Sequence, residues 1–394
     1  MKVKSDNMKK ILNPIQEFIH YEQSSGIILI FCTIVSLALA NTPLNEPIYQ
    51  FWHTRIGFAT ENIDLHKTIL HWVNDGLMAV FFLLVGLEIK REIVSGELSS
   101  LRRASLPLFG AVGGMLVPAL IYVSFNQGTI YENGWGVPMA TDIAFALAIL
   151  GLLGSRIPVS IKVFLTALAI IDDLGAIIVI ALFYSSTLFL NYKAAALVTV
   201  LVLILINRLG IRSLAIYLGL GILLWYFVLK SGIHATIAGV ILAMTIPYSK
   251  DETSSPLLAL EHALHKPVQF FIMPIFALAN TLIVMDASVW VALFSTLSIG
   301  IFTGLFFGKV CGILIFCWIG TKLNLAALPD GVTWHHLIGT GFLAGIGFTM
   351  SIFIAVLAFE NQEGIQTTAK AAILTASIVS GLTGFMILRR TIKT

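Results

Sequence analysis

Charged side chains are scarce in this sequence, and their scarcity limits what the protein can be. Only 11% of its 394 residues are Asp, Glu, Lys or Arg, and 57% are hydrophobic. A soluble globular domain carries roughly 25% charged residues. Apolar runs of the ~17–25 residues that cross a bilayer recur from Gly26 to Ile387 and occupy most of the chain. We therefore expect an all-α polytopic membrane protein, with residues 1–394 forming one transmembrane domain and no separate soluble domain.

Cysteine and the common metal-binding motifs are also rare or missing. The three cysteines, Cys32, Cys311 and Cys317, lie within apolar runs, and the sequence has no CxxC and no HExxH motif. We expect small buried hydrophobic residues here, not disulfides or metal ligands. The sequence predicts no cofactor, no nucleic-acid partner and no enzyme activity. No A-x-A cleavage site follows the first apolar run, so this run is expected to remain as a span.

Hydropathy predicts about twelve membrane spans. Their approximate bounds are Gly26–Ala40, Ile69–Leu87, Ala104–Phe125, Trp135–Leu153, Val163–Tyr184, Ala194–Ile206, Leu214–Leu229, Ile233–Ile246, Val268–Met285, Ile299–Thr321, Leu337–Phe359 and Thr368–Leu388. With the N-terminus inside, 18 Lys and Arg fall on the cytoplasmic side and 5 on the outside. Cytoplasmic loops are enriched in these residues, so both termini are predicted to be cytoplasmic. The cytoplasmic N-terminal segment would be residues 1–22, with a surface helix at Met8–Glu22.

Spans three to five and spans ten to twelve form two predicted repeats. They begin seven spans apart, an odd number, so similar three-helix units would have inverted topology. Span four is interrupted by the glycines and proline between Gly134 and Asp142, and span eleven by four glycines between Gly339 and Gly347. Interrupted helices at matching positions of two repeats indicate a transporter binding site, because unwound backbone is tolerated only beside a cavity.

Two adjacent aspartates, Asp172 and Asp173, lie in the middle of span five, which is otherwise uncharged. Each charge at that depth costs at least about 2.5–3.5 kcal/mol, and a structural ion pair would need only one aspartate. Two carboxylates this close cannot both ionise cheaply, so the pair is expected to titrate as a unit and to exchange protons. Carboxylate oxygens also suit a hard alkali cation. The pair therefore predicts an ion or proton site.

Three more polar residues within spans belong to this predicted site. Thr141 could offer a hydroxyl or carbonyl oxygen at the break of span four. Asp142 would either neutralise the positive N-terminal ends of the half-helices or bind the cation directly. Lys309 lies 13 residues before Lys322, which is ~20 Å along a helix and too far to reach the surface. It must therefore pair in the interior, and both a structural and a proton-carrying role remain open.

Carboxylates and histidines cluster at the predicted cytoplasmic ends of spans two and nine. The members of this cluster are Glu88, Glu92, Glu261, His262 and His265. Such residues often form a solvated rim, but together they also titrate between about pH 5 and 8, so pH sensing is the alternative.

Outside this cluster, His234 is a further titratable candidate near the predicted outer surface, where an ordinary interfacial histidine is the simpler interpretation. The longest predicted external loop, 41–67, includes a partly alternating run from Ile48 to Phe58. Alternation suggests strand character. A hairpin that pairs with a partner chain and a plain surface loop are the two interpretations of this segment.

Several motifs closely resemble those of NhaA-type bacterial sodium/proton antiporters. They are Thr141-Asp-Ile-Ala-Phe-Ala-Leu, Ala169-Ile-Ile-Asp-Asp-Leu-Gly-Ala-Ile, Phe307-Gly-Lys, Gly345-Ile-Gly-Phe-Thr-Met-Ser, the run from Phe81 to Glu92, and Leu260-Glu-His-Ala-Leu-His. The resemblance extends over nearly the whole chain. It implies twelve helices with crossed broken spans four and eleven, and Asp173 as the principal Na⁺ or Li⁺ ligand with Asp172 beside it. It also implies that Asp142 and Lys309 compensate the half-helix dipoles, with a possible pair between Lys309 and Asp172.

The resemblance further implies electrogenic exchange of cytoplasmic Na⁺ or Li⁺ for external H⁺ across a bacterial inner membrane. The cytoplasmic cluster would sense pH, loop 41–67 would form a homodimer, and Asp75 would match an aspartate near the external side. One difference is Lys266-Pro267, where the family often has Pro-Trp. The extra cation would lower the pKa of nearby acids and change the pH of activation.

Other functions are compatible with some of the same features. A sodium-coupled symporter of a small organic anion on a similar inverted-repeat fold is the main alternative, and a passive channel would lack obligatory exchange. An intramembrane aspartyl protease also needs buried aspartates, but the sequence has no GxGD motif. Adjacent aspartates also could not face each other across a peptide bond.

Overall fold

The fold is built almost entirely of helices. The computed structural model describes residues 24–60, 65–185, 189–249, 251, 254–329 and 331–391. The predicted cytoplasmic segment 1–22 and its surface helix therefore lie outside the described residues. The helices are α1 (Ser24–Ala40), α2 (Asn45–His53), α3 (69–94), α4 (Leu101–Asn126), α5 (Ile143–Leu152), α6 (Val159–Phe183), α7 (Leu190–Arg208), α8 (Leu214–Ser231), α9 (Ile237–Thr245), α10 (256–280), α11 (Ala287–Ala292), α12 (Thr296–Lys322), α13 (Trp334–Ala344), α14 (Phe348–Ala358) and α15 (Glu363–Thr391).

The helices confirm a polytopic helical membrane protein. Within the described residues, seven helices are long and apolar enough to cross a membrane, and up to nine spans result if each of two bent helix pairs counts as one. The bent pairs are α1 with α2, and α13 with α14. Helices α3, α9 and α10 lie where the sequence predicts spans two, eight and nine, but each of them is short or interrupted. The total of twelve spans stays a prediction.

Both predicted interruptions are present. Span four consists of a 3-10 segment, Glu132–Met139, followed by three non-helical residues and then α5. Gly134, Gly136 and Pro138 explain why its first half is not α-helical, since glycine disfavours a helix and proline lacks the N–H donor. Span eleven breaks at residues 345–347, and the axes of α13 and α14 differ there by 46°.

The two predicted repeats show the same pattern of internal packing. In each unit, all three spans contact one another, and the first helices of the two units, α4 and α12, pack together. A Cβ atom on either Gly113 or Gly312 would overlap the main-chain oxygen of the other glycine. Membrane helices associate through such close contacts between small residues, because lipid provides no hydrophobic driving force between them.

Three helices contain a wide π-helical turn. These turns are Trp72–Leu77 in α3, Val268–Ile272 in α10 and Gly304–Gly308 in α12. The turn in α10 directly follows Pro267, which has no N–H to donate, and the turn in α12 begins and ends with glycine. Single π turns inside α-helices are uncommon and often lie at functional sites. In α12 the first residue after the turn is Lys309.

The strand prediction for the run from Ile48 to Phe58 is largely wrong. Most of this run belongs to helix α2, and only Arg55–Ile56 pairs as a strand, with Lys67–Thr68. The ring of Tyr49 stacks on that of His53, with centroids 3.9 Å apart. Residues four apart lie on the same face of a helix, so the pattern that suggested a strand instead places Tyr49 and His53 side by side on α2.

The glycine contact between α4 and α12 gives a stability prediction. Gly312→Ala places a methyl group against the backbone of α4 and is expected to destabilise the protein by roughly 1–3 kcal/mol, as overpacking does. Thermal unfolding in detergent measures the effect. Gly219→Ala in α8 is the matched control, because nothing lies within 4 Å of its added Cβ. Equal melting temperatures for the two variants would contradict the close packing.

Candidate functional site

Asp172 and Asp173 lie on α6, deep inside the bundle. They are 0% and 2% exposed, respectively. The helix can hold them there because the residues that precede them, from Leu168 to Ile171, are apolar and buried. Neighbouring helical residues project about 100° apart, so the two carboxylates face different parts of the interior.

Asp172 is held by groups from two other spans. Lys309 Nζ donates to Asp172 Oδ2 at 2.5 Å, and both side chains are fully buried. Thr141 Oγ1 lies 2.7 Å from the same carboxylate oxygen and 2.8 Å from the carbonyl oxygen of Ala344, the last residue of α13. Lys309 is therefore paired in the interior, and its partner is Asp172. Breaking such a pair on one side would leave a buried charge uncompensated.

One carboxylate oxygen of each aspartate is available for a proton or a cation. Asp172 Oδ1 and Asp173 Oδ1 are buried and accept no hydrogen bond from any residue that the structure describes. A buried acceptor without a partner costs roughly 1–3 kcal/mol, and a charged one costs more. A proton or a positive ion would remove that cost. Hard cations are bound by several oxygens, and the hydroxyl of Thr141 lies against the same pair.

Asp142 bridges the two broken spans. Its Oδ1 accepts the backbone N–H of Phe145 at 3.0 Å and so caps α5. Its Oδ2 accepts the backbone N–H of Thr349 at 3.1 Å, in the first turn of α14, and also the Thr349 hydroxyl proton. Helix N-termini have unpaired N–H groups and partial positive charge. One carboxylate thus serves two helix starts, and because both its oxygens are occupied, direct cation binding by Asp142 is disfavoured.

Other hydrogen bonds near the two breaks were not anticipated. The N–H of Asp142 donates to Ile346 O at 2.7 Å, and Ser351 Oγ donates to Val137 O at 2.8 Å. Ser377 Oγ on α15 accepts the first N–H of α14 at 3.2 Å. The Thr-Met-Ser run after the glycines of span eleven signalled polar residues near the break, but no sequence pattern distinguished Ser377 from other serines.

The structure gathers the predicted cytoplasmic carboxylates around a residue that the sequence did not select. Arg91 Nε lies 3.0 Å from Glu261 Oε1, and Arg91 Nη2 lies 3.2 Å from Glu92 Oε1. Glu88 is half-buried one turn before Glu92 on α3. Burial raises the pKa of the Glu261 carboxyl, and the guanidinium of Arg91 opposes this increase.

The predicted histidines divide between the two ends of the bundle. His265 Nε2 lies 3.4 Å from Gln269 Nε2. Burial lowers the pKa of His265, and the positive charges of His262 and Arg91 lower it further. His262 is exposed on α10. His234 is not part of this cluster, because it lines a cavity at the other end of the bundle together with residues of loop 41–67.

Lys90 is a further titratable residue that sequence reasoning missed. Its Nζ donates to the carbonyl oxygens of Met244 and Ile246 at 2.7 and 2.5 Å. These carbonyls end helix α9, where partial negative charge favours a cation. Burial lowers the pKa of Lys90 to about 8. A lysine among several basic residues at a helix end gives no special sequence signal.

The shared cap at Asp142 gives a prediction for stability. A single N-cap contributes roughly 0.5–2 kcal/mol to the free energy of unfolding. Asp142→Ala should therefore lower this free energy by about twice as much as the loss of an ordinary cap. Asp142→Asn keeps one acceptor oxygen and should lower it by an intermediate amount. Asp286→Ala is the control, because Asp286 Oδ1 caps only α11. Unfolding in detergent gives the comparison. An Asp142→Ala variant as stable as Asp286→Ala would argue against the double cap.

Comparison with known proteins agrees with this geometry. A family model described as Na+/H+ antiporter 1 matches residues 16–388. A protein of Flavobacterium johnsoniae named Na(+)/H(+) antiporter NhaA 2 is 52% identical, covering 97% of this chain and 94% of that protein. A protein of Dechloromonas aromatica named Na(+)/H(+) antiporter NhaA is 51% identical, covering 97% of each chain. The protein of the same name from Flavobacterium psychrophilum is 48% identical over 98% of each chain. This chain, which has two broken spans that meet at their breaks and a buried aspartate pair, belongs to the Na⁺/H⁺ antiporter 1 family.

Proposed function

We propose that this protein is a secondary transporter that exchanges cytoplasmic Na⁺ or Li⁺ for external H⁺. The observation that carries the proposal is the aspartate pair on α6. Two buried carboxylates have oxygens that no described residue satisfies, and Thr141 links one of them, Asp172, to the breaks of two spans. The relatives that share about half of the sequence are named Na(+)/H(+) antiporters.

Competition for one site would couple the two ions. At high cytoplasmic pH the pair loses protons and takes the cation, with Asp173 as the main ligand. Asp172 and Thr141 contribute the neighbouring oxygens. Rocking of one helix bundle against the other then exposes the site to the outside, where protons displace the cation and the protonated site returns. Because two carboxylates can carry two protons but a monovalent cation carries one charge, each cycle would move net charge and be electrogenic.

The orientation that we propose for the protein in the membrane agrees with which helix ends lie on the same side of the bundle. Residues of loop 41–67 and of the segments after α8, α10 and α14 line one cavity, and all four segments are external in the topology predicted from Lys and Arg. The cluster around Arg91 joins α3 to α10 at ends that this topology places inside. These contacts agree with the predicted topology, and we propose cytoplasmic termini and a bacterial inner membrane, since the relatives are bacterial proteins named Na(+)/H(+) antiporters.

Regulation by pH would act through the cluster of Arg91, Glu92, Glu261 and His265. Burial raises the pKa of Glu261 and lowers that of His265, so the net charge of the cluster depends on pH. Since Arg91 and Glu92 lie on α3 and Glu261 on α10, a change of charge would alter how these helices hold together. Na⁺ and pH homeostasis, and with them salt tolerance, would follow from such control.

A homodimer through loop 41–67 is proposed on the exposure of this loop. Phe51, Ile56 and Phe58 present apolar side chains that are 55%, 47% and 58% exposed. The short antiparallel pair that follows α2 leaves backbone groups at its edge, to which a second copy could add strands.

The sodium-coupled symporter is the weaker alternative, since the relatives compared above carry antiporter names. Liposomes that contain no organic solute distinguish the two. An antiporter moves protons on addition of Na⁺ alone, whereas a symporter requires its organic substrate.

The role of Asp173 predicts loss of exchange without loss of folding. Asp173→Asn should reduce Na⁺- and Li⁺-dependent proton movement in proteoliposomes to background, as collapse of a pH gradient reports. Its thermal stability should be equal to or above that of the wild type, because Asp173 Oδ1 makes no hydrogen bond with the described residues. Asp286→Ala, at an exposed cap, should leave exchange intact. Normal apparent affinity for Na⁺ in Asp173→Asn would refute the assignment.

The cytoplasmic cluster predicts the direction of a pH shift. Arg91→Gln removes a cation that opposes the raised pKa of Glu261 and adds to the lowered pKa of His265. Both groups would then keep their protons to higher pH, so the pH of half-maximal exchange should rise by about one unit, the scale of the effect of one nearby charge.

Two variants control for this experiment. Arg91→Lys keeps the positive charge and should shift the profile less than Arg91→Gln. Arg103→Gln breaks the exposed pair between Arg103 and Glu97 at the same end of the bundle and should not shift it. A shift to lower pH in Arg91→Gln would contradict the proposed regulation.

A further inference from the structure

A cavity of about 420 Å³ lies at the outer end of the bundle, apart from the aspartate pair. Its charged lining residues are Asp75, Glu360, Glu363 and Lys370, and the histidines His53, His71 and His234 line it as well. When these histidines are neutral, three carboxylates face one lysine. A cavity with low-dielectric walls and an excess of one charge concentrates ions of the opposite sign, so this cavity favours cations.

Two asparagines are the most buried polar residues of the cavity lining. Asn74 is 8% exposed and Asn280 is 1% exposed. Asn280 Nδ2 donates to Asn74 Oδ1 at 2.8 Å and to Phe276 O at 3.2 Å. Asn280 Oδ1 is buried and accepts no hydrogen bond from the residues that the structure describes. An amide oxygen in this state is an unused ligand, since burying it without a partner costs roughly 1–3 kcal/mol.

The surroundings of the two asparagines add negative charge. Asn74 and Asp75 belong to the π turn of α3, and Asp75 Oδ2 lies 3.0 Å from His71 Nε2. Asn280 is the last residue of α10. The last carbonyls of a helix lack partners within it, and this end carries partial negative charge. Amide, carbonyl and carboxylate oxygens are the ligands of hard cations, and all three kinds are present here.

Aromatic side chains close the space on the inner side of the asparagines. Phe82 lies two turns further in along α3, and Phe276 one turn further in along α10. Both rings contact that of Phe353 on α14, with centroids 5.3 and 6.2 Å apart, and all three side chains are buried. We expect these phenyl rings to separate an ion at the asparagines from the breaks of the two spans.

We propose that Asn280, Asn74 and Asp75 form a second site for a hard monovalent cation, Na⁺ or Li⁺, at the base of the outer cavity. It holds the ion between the aspartate pair and the outer solution. The inference rests on the exchange proposed above and adds the route by which the cation leaves. The phenyl rings separate the two sites, so that only a conformational change passes the ion from one to the other.

The test compares the two faces of the membrane. Exchange is measured in right-side-out and inside-out vesicles with Na⁺ added on one side, and again with Li⁺. Asn280→Ala should raise the apparent KM for Na⁺ added from the cavity side by roughly tenfold, equivalent to about 1.4 kcal/mol. The KM for Na⁺ added from the opposite side should remain unchanged. Asn280→Asp adds a carboxylate and should lower the KM on the cavity side only.

Asn126→Ala is the matched control. Asn126 is also fully buried, also has an Oδ1 without a hydrogen bond from the described residues, and lies outside the cavity. A one-sided effect in Asn280→Ala that is absent from Asn126→Ala supports the outer site. Equal changes on both faces, or no change in either Asn280 variant, would overturn it. If Asn280→Ala does not fold, the KM values of Asn280→Asp on the two faces test the proposal by themselves. A wild type that moves no protons on addition of Na⁺ would instead overturn the proposed exchange itself.

Discussion

Charge placed in the middle of a membrane must be balanced inside the protein, and this requirement organises the centre of the molecule. Asp172 is balanced by Lys309 through a 2.5 Å contact. Asp142 is balanced by the N-terminal ends of two half-helices, which are themselves open only because both spans are broken. Asp173 has no comparable partner among the residues that the structure describes. The negative charge that is left over is therefore confined to one carboxylate, and an ion from solution is the natural means of neutralising it.

The parts of this arrangement that depend on a charge in an apolar run could be predicted from the sequence. The cost of burying charge marks the aspartate pair as a polar site and requires that Lys309 pair in the interior. Capping of the half-helices by Asp142 was one of the two roles that the sequence left open. The breaks follow from glycine and proline. In contrast, Ser377 and the carbonyl oxygen of Ala344 carry no sequence signal, because serine and backbone oxygens are everywhere and only the tertiary fold selects among them.

The end of the bundle around Arg91 was harder to predict for a related reason. The carboxylates and histidines stood out as a cluster, but Arg91 and Lys90 belong to a run of charged residues that any helix end could have. Their contacts with Glu261 and with the end of α9 depend on which helices are neighbours.

The strand prediction that falls on the helix Asn45–His53 was wrong for a different reason. A short apolar run fits both a strand and a helix until its packing is known. The π turns of α3 and α10 likewise could not be foreseen, although each precedes or contains polar residues of interest.

The hydrogen bonds across the two breaks restrict how the protein can change shape. Asp142 is linked through its side chain to the start of α14 and through its N–H to Ile346, while Ser351 is tied to Val137. Neither interrupted span can slide or tilt alone without breaking these hydrogen bonds. The two spans are thus interlocked and would travel as one piece. A change of shape that keeps these hydrogen bonds would therefore take place where the two broken spans contact the helices around them.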